Sequence, residues 1–327
     1  MVCERPQPDI GDLMPFDPFL SAKLHLLEGA SWSSIDAGTL ARVQEYSRDP
    51  AEWSAPAEVS IRDDEVAGLH GPVRCRVYNP ARPSGIGLVW AHGGGFGGGD
   101  LEMPEAHMVA AELAARAGTV VVSVDYRLAA DGVRYPVPID DVSAVWSSVV
   151  NGEDLLGTEG LEWLALGGAS AGAALALATS MRMRDGKGTP PAALLVAYPF
   201  AHFPNPAPEP ALSAELAGLP QILRFSPESV EDMVRNYVGR VTDLPADALP
   251  GAAALGGLPP VHLLISEYDD LRSSAELLQR QLVEVGVPVT AHLAPGMPHG
   301  HLNRTPSLPE VDRSLDYFAA ALRGGLV

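Results

Sequence analysis

The chain has 327 residues, of which 46% are hydrophobic and 19% are charged, and its formal net charge is −19. This excess of negative charge disfavours binding to nucleic acids or to anionic lipid surfaces, because both require clustered lysine and arginine. The composition is that of a folded globular protein, and neither a nucleic acid nor a membrane is expected as a partner.

The N-terminal twenty residues mix acids and prolines, whereas a signal peptide has a basic start and an unbroken apolar run. A cytoplasmic location is therefore predicted. No stretch of the sequence reaches the roughly 18 apolar residues of a membrane-spanning helix. Two cysteines, Cys3 and Cys75, are too few for a disulfide framework, so we expect both to be free thiols.

Six short β-rich runs alternate with helix-like stretches, a pattern typical of a parallel sheet flanked by helices. The runs are apolar throughout, as expected of strands that are covered on both faces. An earlier run, residues 73–78, alternates between apolar and polar side chains and is predicted to be an antiparallel edge strand. The six apolar runs cover residues 87–91, 119–125, 163–167, 193–198, 261–266 and 287–293.

Two segments outside these runs are predicted to form a cap over the core. The first, residues 1–55, contains helical patches at 19–27 and 40–46. The second, residues 204–250, combines proline-rich turns with an amphipathic stretch at 227–237 and falls between two core strands. Residues 56–203 and 251–327 are then assigned to a single α/β catalytic core.

The motif Gly168-Ala-Ser170-Ala-Gly172 lies between a short apolar strand and a run of strong helix formers. This is G-x-S-x-G in a strand–turn–helix context, where small neighbours permit a tight turn that exposes the serine hydroxyl. The following helix directs its free N–H groups and positive dipole end towards developing negative charge. The motif alone also fits a close contact between helix and sheet, but its context favours Ser170 as a nucleophile.

A glycine-rich loop, His92-Gly-Gly-Gly95-Phe, follows the first core strand. Consecutive glycines let backbone amides approach a substrate oxygen, and the H-G-G-G type forms oxyanion holes together with the residue after the nucleophile, here Ala171. His92 is expected to brace the loop. The loop also permits an alternative function, that of a dinucleotide-binding oxidoreductase. Gly93, Gly95 and Gly98 satisfy the dinucleotide-binding G-x-G-x-x-G pattern, with Asp125 as a ribose-binding acid.

A catalytic acid and base are expected late in the chain, because G-x-S-x-G hydrolases follow the order Ser, Asp or Glu, His. Asp269 and Asp270 follow a core strand, and at most one can face a histidine, so the other is expected to be a helix N-cap or a solvated charge. His299 lies in the predicted loop 295–300 and has the freedom to reach a serine, with His301 as the fallback. No His, Cys and carboxylate spacing predicts a metal site, and no cofactor is expected.

Together these segments resemble the bacterial hormone-sensitive-lipase family of carboxylesterases within the α/β-hydrolase superfamily. The resemblance rests on HGGGF at 92–96, VDYRLA at 124–129, GASAG at 168–172, EYDDLR at 267–272 and PHG at 298–300. It implies an α/β-hydrolase fold with a mainly helical cap, selects Asp269 over Asp270 and His299 over His301, and implies Gly94 and Gly95 as oxyanion donors. Dimers occur in such proteins, so a homodimer is considered.

The chain departs from the family pattern at three places around the expected pocket. Ala169 replaces the usual Asp or Thr before the nucleophile, residues 130–132 replace Pro-Glu, and His301 replaces Phe. The predicted function is cleavage of a carboxylic ester by Ser170, Asp269 and His299, with either a short to medium acyl chain or a specialised metabolite ester as substrate. An acyltransferase, cyclase or lyase using the same triad is the nearest alternative, ahead of the oxidoreductase.

Overall fold

The computed structural model describes residues 15–152 and 160–324, which form an eight-stranded sheet flanked by helices. The strand order is β1-β2-β4-β3-β5-β6-β7-β8. The strands are β1 (Val59–Val66), β2 (Val73–Pro80), β3 (Ile86–Ala91), β4 (Val120–Asp125), β5 (Trp163–Ala169), β6 (Ala193–Ala197), β7 (Val261–Tyr268) and β8 (Val289–Pro298). The α-helices are α1 (Pro18–Lys23), α2 (Ala37–Ser47), α3 (Pro104–Ala117), α4 (Val137–Val150), α5 (Ala171–Arg182), α6 (Pro210–Leu216), α7 (Pro227–Val238), α8 (Arg272–Glu284) and α9 (Pro309–Gly324).

The strands β3 to β8 pair in parallel, which confirms the α/β architecture predicted from the six apolar runs. Strand β4 shows why these segments are extended: its sequence VVVSVD is dominated by β-branched side chains, which pack well on a pleated surface. Strand β2 runs antiparallel to its neighbours on both sides, β1 and β4.

Helices cover both faces of the central strands, as the continuous apolar runs predict. Every residue of β3 is buried, and alternate side chains enter two different cores. Leu88 and Trp90 pack with α3 and α9, whereas Val89 and Ala91 pack with α4 and α5. The Trp90 ring lies 6.1 Å from the ring of Phe318 in α9. The strand ends are thereby held in fixed positions at the site described below.

The predicted edge strand at 73–78 is an inner strand, because β1 pairs along its outer side. The β1 sequence VSIRDDEV begins with apolar residues at alternate positions, Val59 and Ile61, but three consecutive acids then interrupt the pattern by which strands are recognised. Charged side chains are a common feature of edge strands, where they oppose pairing with another sheet. The antiparallel direction predicted for β2 is correct.

The insertion, residues 204–250, contains α6 and α7 in its described structure. Helix α7 begins after Ser226, whose side chain accepts a hydrogen bond from the Ser229 amide, and ends at Gly239, which adopts φ 84°. Serine at the N-cap, proline at the first turn and glycine at the C-terminus are the usual helix boundaries. Residues 1–14 of the N-terminal segment, including Cys3, lie outside the described residues.

The remaining N-terminal residues pack against the core formed with α9, through Leu20, Leu27 and Tyr46. Cys75 is a buried free thiol, and burial raises its pKa to about 12. Within residues 15–152 and 160–324, none of the helices has both the length and the apolar character needed to cross a membrane.

Candidate active site

Ser170 lies in a tight turn between β5 and α5. Strand β5 ends at Ala169 and α5 begins at Ala171, so a single residue reverses the direction of the chain. Ser170 adopts φ 53° and ψ −115°, a backbone conformation that non-glycine residues rarely adopt. Such strain persists only when the surrounding packing holds it, and it concentrates at functional positions. The turn places the hydroxyl at the carboxyl end of the sheet.

The two glycines of the motif are required because the turn packs directly against the end of β3. A Cβ atom on Gly172 would lie 2.2 Å from the carbonyl oxygen of Ala91, and a Cβ on Gly168 would lie 2.5 Å from backbone atoms of Gly172. Both distances are far below van der Waals contact. The G-x-S-x-G spacing therefore reflects close backbone packing that fixes the position of Ser170.

Ser170, His299 and Asp269 form a continuous chain of hydrogen bonds. The Ser170 Oγ hydroxyl lies 2.9 Å from His299 Nε2, and His299 Nδ1 donates to Asp269 Oδ2 at 2.7 Å. The other carboxylate oxygen of Asp269 accepts the Leu271 amide at 2.8 Å. An ionised carboxylate can only accept, so it fixes the proton on Nδ1 and leaves Nε2 free to accept the serine proton. The structure thus brings the three sequence-predicted residues together.

The surroundings of His299 favour its charged form. Burial disfavours protonation, but the charge of Asp269 and the hydrogen bond to it outweigh that effect, so the pKa of His299 lies above its ordinary value. The rings of Tyr198 and Phe225 pack edge-on against the imidazole, with centroids at 5.0 and 4.7 Å. These contacts restrict the ring to an orientation that faces Ser170.

His299 follows β8 directly, since that strand extends to Pro298. The prediction of a loop over 295–300 was therefore wrong for its first four residues. Proline and glycine in PGMP suggest a loop from local propensity, but Tyr268 of β7 still pairs with Pro298 after a register shift in the ladder. A strand end holds the histidine more firmly than a free loop would.

The glycine-rich loop lies beside the serine turn and carries two amides that have no partner among the described residues. Gly94 and Gly95 adopt φ 113° and 60°, and both line the cavity that contains Ser170 and His299. The amides of Gly94, Gly95 and Ala171 donate no backbone or side-chain hydrogen bond to the described residues. Ala171 is buried at the first position of α5. Unpaired amides next to a serine hydroxyl are available to a substrate oxygen.

Glu105 fixes this loop and was not identified from the sequence. Its carboxylate accepts the Gly93 amide at 2.6 Å, the Asn303 side chain at 3.2 Å and the Tyr198 hydroxyl, and only 1% of the residue is exposed. In the sequence, Glu105 is recognisable only as an acidic residue in the first turn of a helix. Its partners lie as far as 198 residues away, so no local pattern reveals them.

Asp270 is neither a helix N-cap nor a solvated charge, and that expectation was wrong. Only 8% of Asp270 is exposed, and its carboxylate accepts two hydrogen bonds from Arg224, both at 2.8 Å, and one from the Phe225 amide at 2.8 Å. We call this arrangement the Asp270 clamp. It joins the insertion to the residue next to Asp269, and it holds Phe225 against His299.

Two other histidines near the site, His301 and His92, have structural environments. His301 is buried, lies between the hydroxyls of Ser266 and Ser314 at 2.9 and 3.0 Å, and has its pKa lowered to about 3 by burial. It is thus not placed to replace His299 as a base. His92 stacks on Tyr126 and donates from Nδ1 to the Gly93 carbonyl, which agrees with a bracing role.

A cavity of about 800 Å³ opens above Ser170 and His299. Both segments predicted to form a cap contribute to its wall. The N-terminal segment contributes Trp32, whose indole N–H donates to the Ile222 carbonyl at 2.9 Å. A smaller cavity of about 420 Å³ lies between residues 47–53 and α3 and contains neither Ser170 nor His299. The residues that the insertion contributes to the larger cavity are Ile222, Leu223, Phe225, Asp232, Met233 and Asn236.

The dinucleotide alternative does not fit this geometry. In a dinucleotide site the glycines open directly onto a helix whose N-terminus binds the pyrophosphate. Here the loop continues to α3, which begins only at Pro104, and the Gly93 amide is already bound to Glu105. Asp125 pairs with Arg74 at 3.4 Å. In the described part of the chain, no group of three or more His, Cys, Asp or Glu side chains is arranged to hold a metal ion.

Comparison with known proteins identifies the family of the chain. A family model for the α/β-hydrolase fold matches residues 88–303. The esterase LipI of Mycobacterium tuberculosis is 31% identical over 300 residues, which is 89% of each chain. The carboxylesterase NlhH of the same organism is 32% identical over 322 residues, covering 95% of this chain and 96% of the relative.

Among solved structures, a hyperthermophilic esterase from the archaeon Pyrobaculum calidifontis superposes with a TM-score of 0.77 at 29% identity, covering 95% of this chain and 99% of that one. With the match to the family model and the identity to esterases over nearly the whole length, the chain belongs to the α/β-hydrolase fold family and is a hydrolase of the carboxylesterase type.

Proposed function

We propose that this enzyme hydrolyses carboxylic esters through an acyl-enzyme intermediate on Ser170. The observation that carries the proposal is the hydrogen-bonded chain from Ser170 Oγ through His299 to Asp269, which lies at the base of a cavity. A serine hydroxyl is a weak nucleophile unless an oriented base removes its proton during attack. The distances of 2.9 and 2.7 Å meet that requirement.

In the first half of the reaction, Ser170 Oγ attacks the ester carbonyl carbon and its proton passes to His299 Nε2. Asp269 holds the imidazole in the required tautomer and stabilises the imidazolium. The tetrahedral intermediate collapses with cleavage of the bond to the alcohol, which leaves with the proton from His299. In the second half, His299 takes a proton from water, the resulting hydroxide attacks the acyl carbon, and Ser170 regains its proton as the acid departs.

Negative charge on the carbonyl oxygen is stabilised by the amides of Gly94, Gly95 and Ala171. These amides are unpaired within the described structure, and two of them line the cavity beside Ser170. Preorganised donors of this kind stabilise the transition state by about 3–4 kcal/mol each. Glu105 supports the donors indirectly, because its bond to the Gly93 amide holds the start of the loop.

The substrate is a short to medium acyl ester or a specialised metabolite ester. Apolar side chains from the core and the insertion line the cavity, among them Phe200, Leu223, Phe225 and Leu271. We also propose membership of the hormone-sensitive-lipase branch of the superfamily, from the five motifs of the sequence, and a cap built from residues 1–55 and 204–250. The cytoplasmic location and the homodimer stay predictions.

The experiment compares wild type with Ser170→Ala on p-nitrophenyl acetate, butyrate and octanoate. We expect the wild type to hydrolyse at least one ester and the variant to lose about four to six orders of magnitude in turnover, because the triad acts as a unit. A fluorophosphonate should label Ser170 in the wild type alone. A folded wild type that neither turns over any ester nor reacts with the probe would overturn the proposal.

Product analysis distinguishes hydrolysis from acyl transfer on the same triad. The reaction is run in water with increasing concentrations of a competing alcohol, and the free acid and the transfer ester are both quantified. Free acid as the main product at low alcohol concentration supports hydrolysis. Predominant transfer to the alcohol, or a rate that depends on it absolutely, would assign the enzyme to the acyltransferases instead.

A further inference from the structure

The charged side chains that line the cavity are acidic, and their charge affects which esters can bind. Two carboxylates, Glu105 and Asp232, line the cavity, and no lysine or arginine of residues 15–152 and 160–324 does. Glu105 is buried and fully engaged with the glycine loop and Tyr198. Asp232 is exposed, and it forms no hydrogen bond or ion pair with any described residue. A carboxylate in this position is available to a ligand.

The position of Asp232 is fixed by the packing of α7 against the glycine loop. Met233 lies close to Gly95, with its sulfur 2.8 Å from the site of a Cβ on that glycine, and the Asn236 side chain donates a hydrogen bond to the Ala129 carbonyl. Residues four apart on a helix share a face, so Asp232 and Asn236 both lie on the side of α7 that lines the cavity.

Aromatic rings accompany this carboxylate in the cavity wall. Trp32 is 69% exposed at the wall and is held in place by the hydrogen bond from its indole nitrogen to the Ile222 carbonyl. Phe225 lines the same cavity and is held by the Asp270 clamp. An ammonium group is attracted both to a carboxylate and to the faces of aromatic rings, and Trp provides the strongest such attraction.

We propose that Asp232 is a specificity-determining residue and that the preferred esters carry a positively charged ammonium group. This inference rests on the proposed ester hydrolysis and specifies its substrate class. The ammonium lies against Asp232 and Trp32 while the ester carbonyl is held at Ser170. Anionic esters, such as half-esters of dicarboxylic acids, are disfavoured by the same charge. The effect acts on binding, so it is expressed mainly in KM.

The test uses pairs of esters that differ in charge and hardly in shape. Butyrylcholine is compared with 3,3-dimethylbutyl butyrate, in which carbon replaces the quaternary nitrogen of the alcohol. The ethyl ester of trimethylammoniobutyric acid is compared with its tert-butyl carbon isostere, which moves the charge to the acyl side. In wild type we expect kcat/KM for the charged member of at least one pair to exceed that of its isostere by roughly 5- to 30-fold.

Asp232→Asn removes the charge with almost no change of size and should reduce this ratio to about one. The matched control is Asp243→Asn, an exposed carboxylate of the same insertion that does not line the cavity. Asp243 adopts φ 51°, a conformation that asparagine tolerates, so the substitution introduces no backbone strain. The control should retain the wild-type ratio. Raising the ionic strength should lower the ratio in wild type and in the control.

The outcomes separate this inference from the proposed function. Turnover of the neutral isosteres that requires Ser170, together with a charge preference below about fivefold in both pairs, would overturn the role of Asp232 and leave ester hydrolysis standing. A preference that survives in Asp232→Asn would also overturn it. A preference lost in Asp232→Asn and kept in Asp243→Asn supports it. Absence of turnover for every ester would overturn both proposals.

Discussion

Replacement of Arg224 by methionine should destabilise the protein, because it leaves the Asp270 carboxylate buried without its charged partner. The side chains of Arg224 and Asp270 are 26% and 10% exposed, so solvent screens their interaction only partly. Two charge-assisted hydrogen bonds at 2.8 Å are lost, and only the bond from the Phe225 amide remains on the carboxylate. We expect the free energy of unfolding to fall by about 2–3 kcal/mol.

The Asp270 clamp should also influence the pH dependence of catalysis. Substitution of Arg224 and substitution of Asp270 should shift the acid limb of kcat/KM in opposite directions. Burial lowers the pKa of His299, while the carboxylates around it, including Asp270, raise it. Catalysis requires neutral His299, so the acid limb of kcat/KM follows this pKa. Arg224→Met leaves the charge of Asp270 unneutralised and should move the limb to higher pH by about half a pH unit, whereas Asp270→Asn should move it to lower pH.

Urea unfolding and kcat/KM profiles from pH 5 to about pH 9 measure the two effects on one set of variants. Arg235→Met is the control, because Arg235 pairs with Glu231 in an exposed bridge of the same insertion and should cost less than about 0.5 kcal/mol. The reasoning is refuted if Arg224→Met is no more costly than the control. It is also refuted if Arg224→Met and Asp270→Asn shift the acid limb in the same direction or leave it unchanged.

Four further outcomes are expected. Asp269→Asn should lower kcat by about four orders of magnitude, since the histidine loses its tautomer control, with circular dichroism verifying the fold. Because the pKa of His299 lies above 6.5, kcat/KM for a neutral ester should rise with pH through an acid limb centred above pH 6.5 in wild type. Burial lowers the pKa of His301 from 6.5 to about 3, so between these pH values the unfolded chain binds a proton that the folded protein does not. The free energy of unfolding should therefore decline as the pH falls from 6.5 to about 3. Urea unfolding at several pH values should show a weaker decline in His301→Gln. Gly172→Ala should destabilise the protein by more than about 2 kcal/mol in the same assay, because its Cβ would lie 2.2 Å from the Ala91 carbonyl oxygen.

The sequence was informative where function depends on local backbone geometry. The serine turn and the glycine-rich loop need small residues at fixed spacing, so their patterns are visible over five residues. The six core strands were found for a similar reason, because burial on both faces leaves a continuous apolar run. The order of serine, acid and histidine along the chain left two acids and a fallback histidine open, and the resemblance to the lipase family selected Asp269 and His299. The structure brings both into a hydrogen-bonded chain with Ser170.

Long-range pairing of polar side chains could not be deduced in the same way. Asp270 is separated from Arg224 by 46 residues, and the path of the insertion decides that they meet. Glu105 gives no local sign that it binds Gly93 and Tyr198. Strand β1 was missed because three consecutive acids interrupt its apolar alternation, and its pairing with β2 depends on backbone hydrogen bonds.

The strand order explains how chemistry and recognition are combined in one place. The candidate catalytic side chains follow β5, β7 and β8, and the glycine loop follows β3, so all of them meet at the carboxyl ends of neighbouring parallel strands. The insertion leaves the core between β6 and β7 and is bound back at Asp270, the residue next to Asp269.

Because the insertion is bound to the core at Asp270, substitutions in different parts of the insertion should have different effects. A change at Arg224 disturbs a buried charge beside the catalytic acid, and its effect reaches His299 through both electrostatics and the packing of Phe225. A change at Asp232 alters a side chain without protein partners in the described structure, on a helix that is held by its own contacts with the glycine loop and Ala129. We therefore expect substitutions on the cavity face of α7 to alter substrate preference while the hydrogen-bonded chain at Ser170 stays in place.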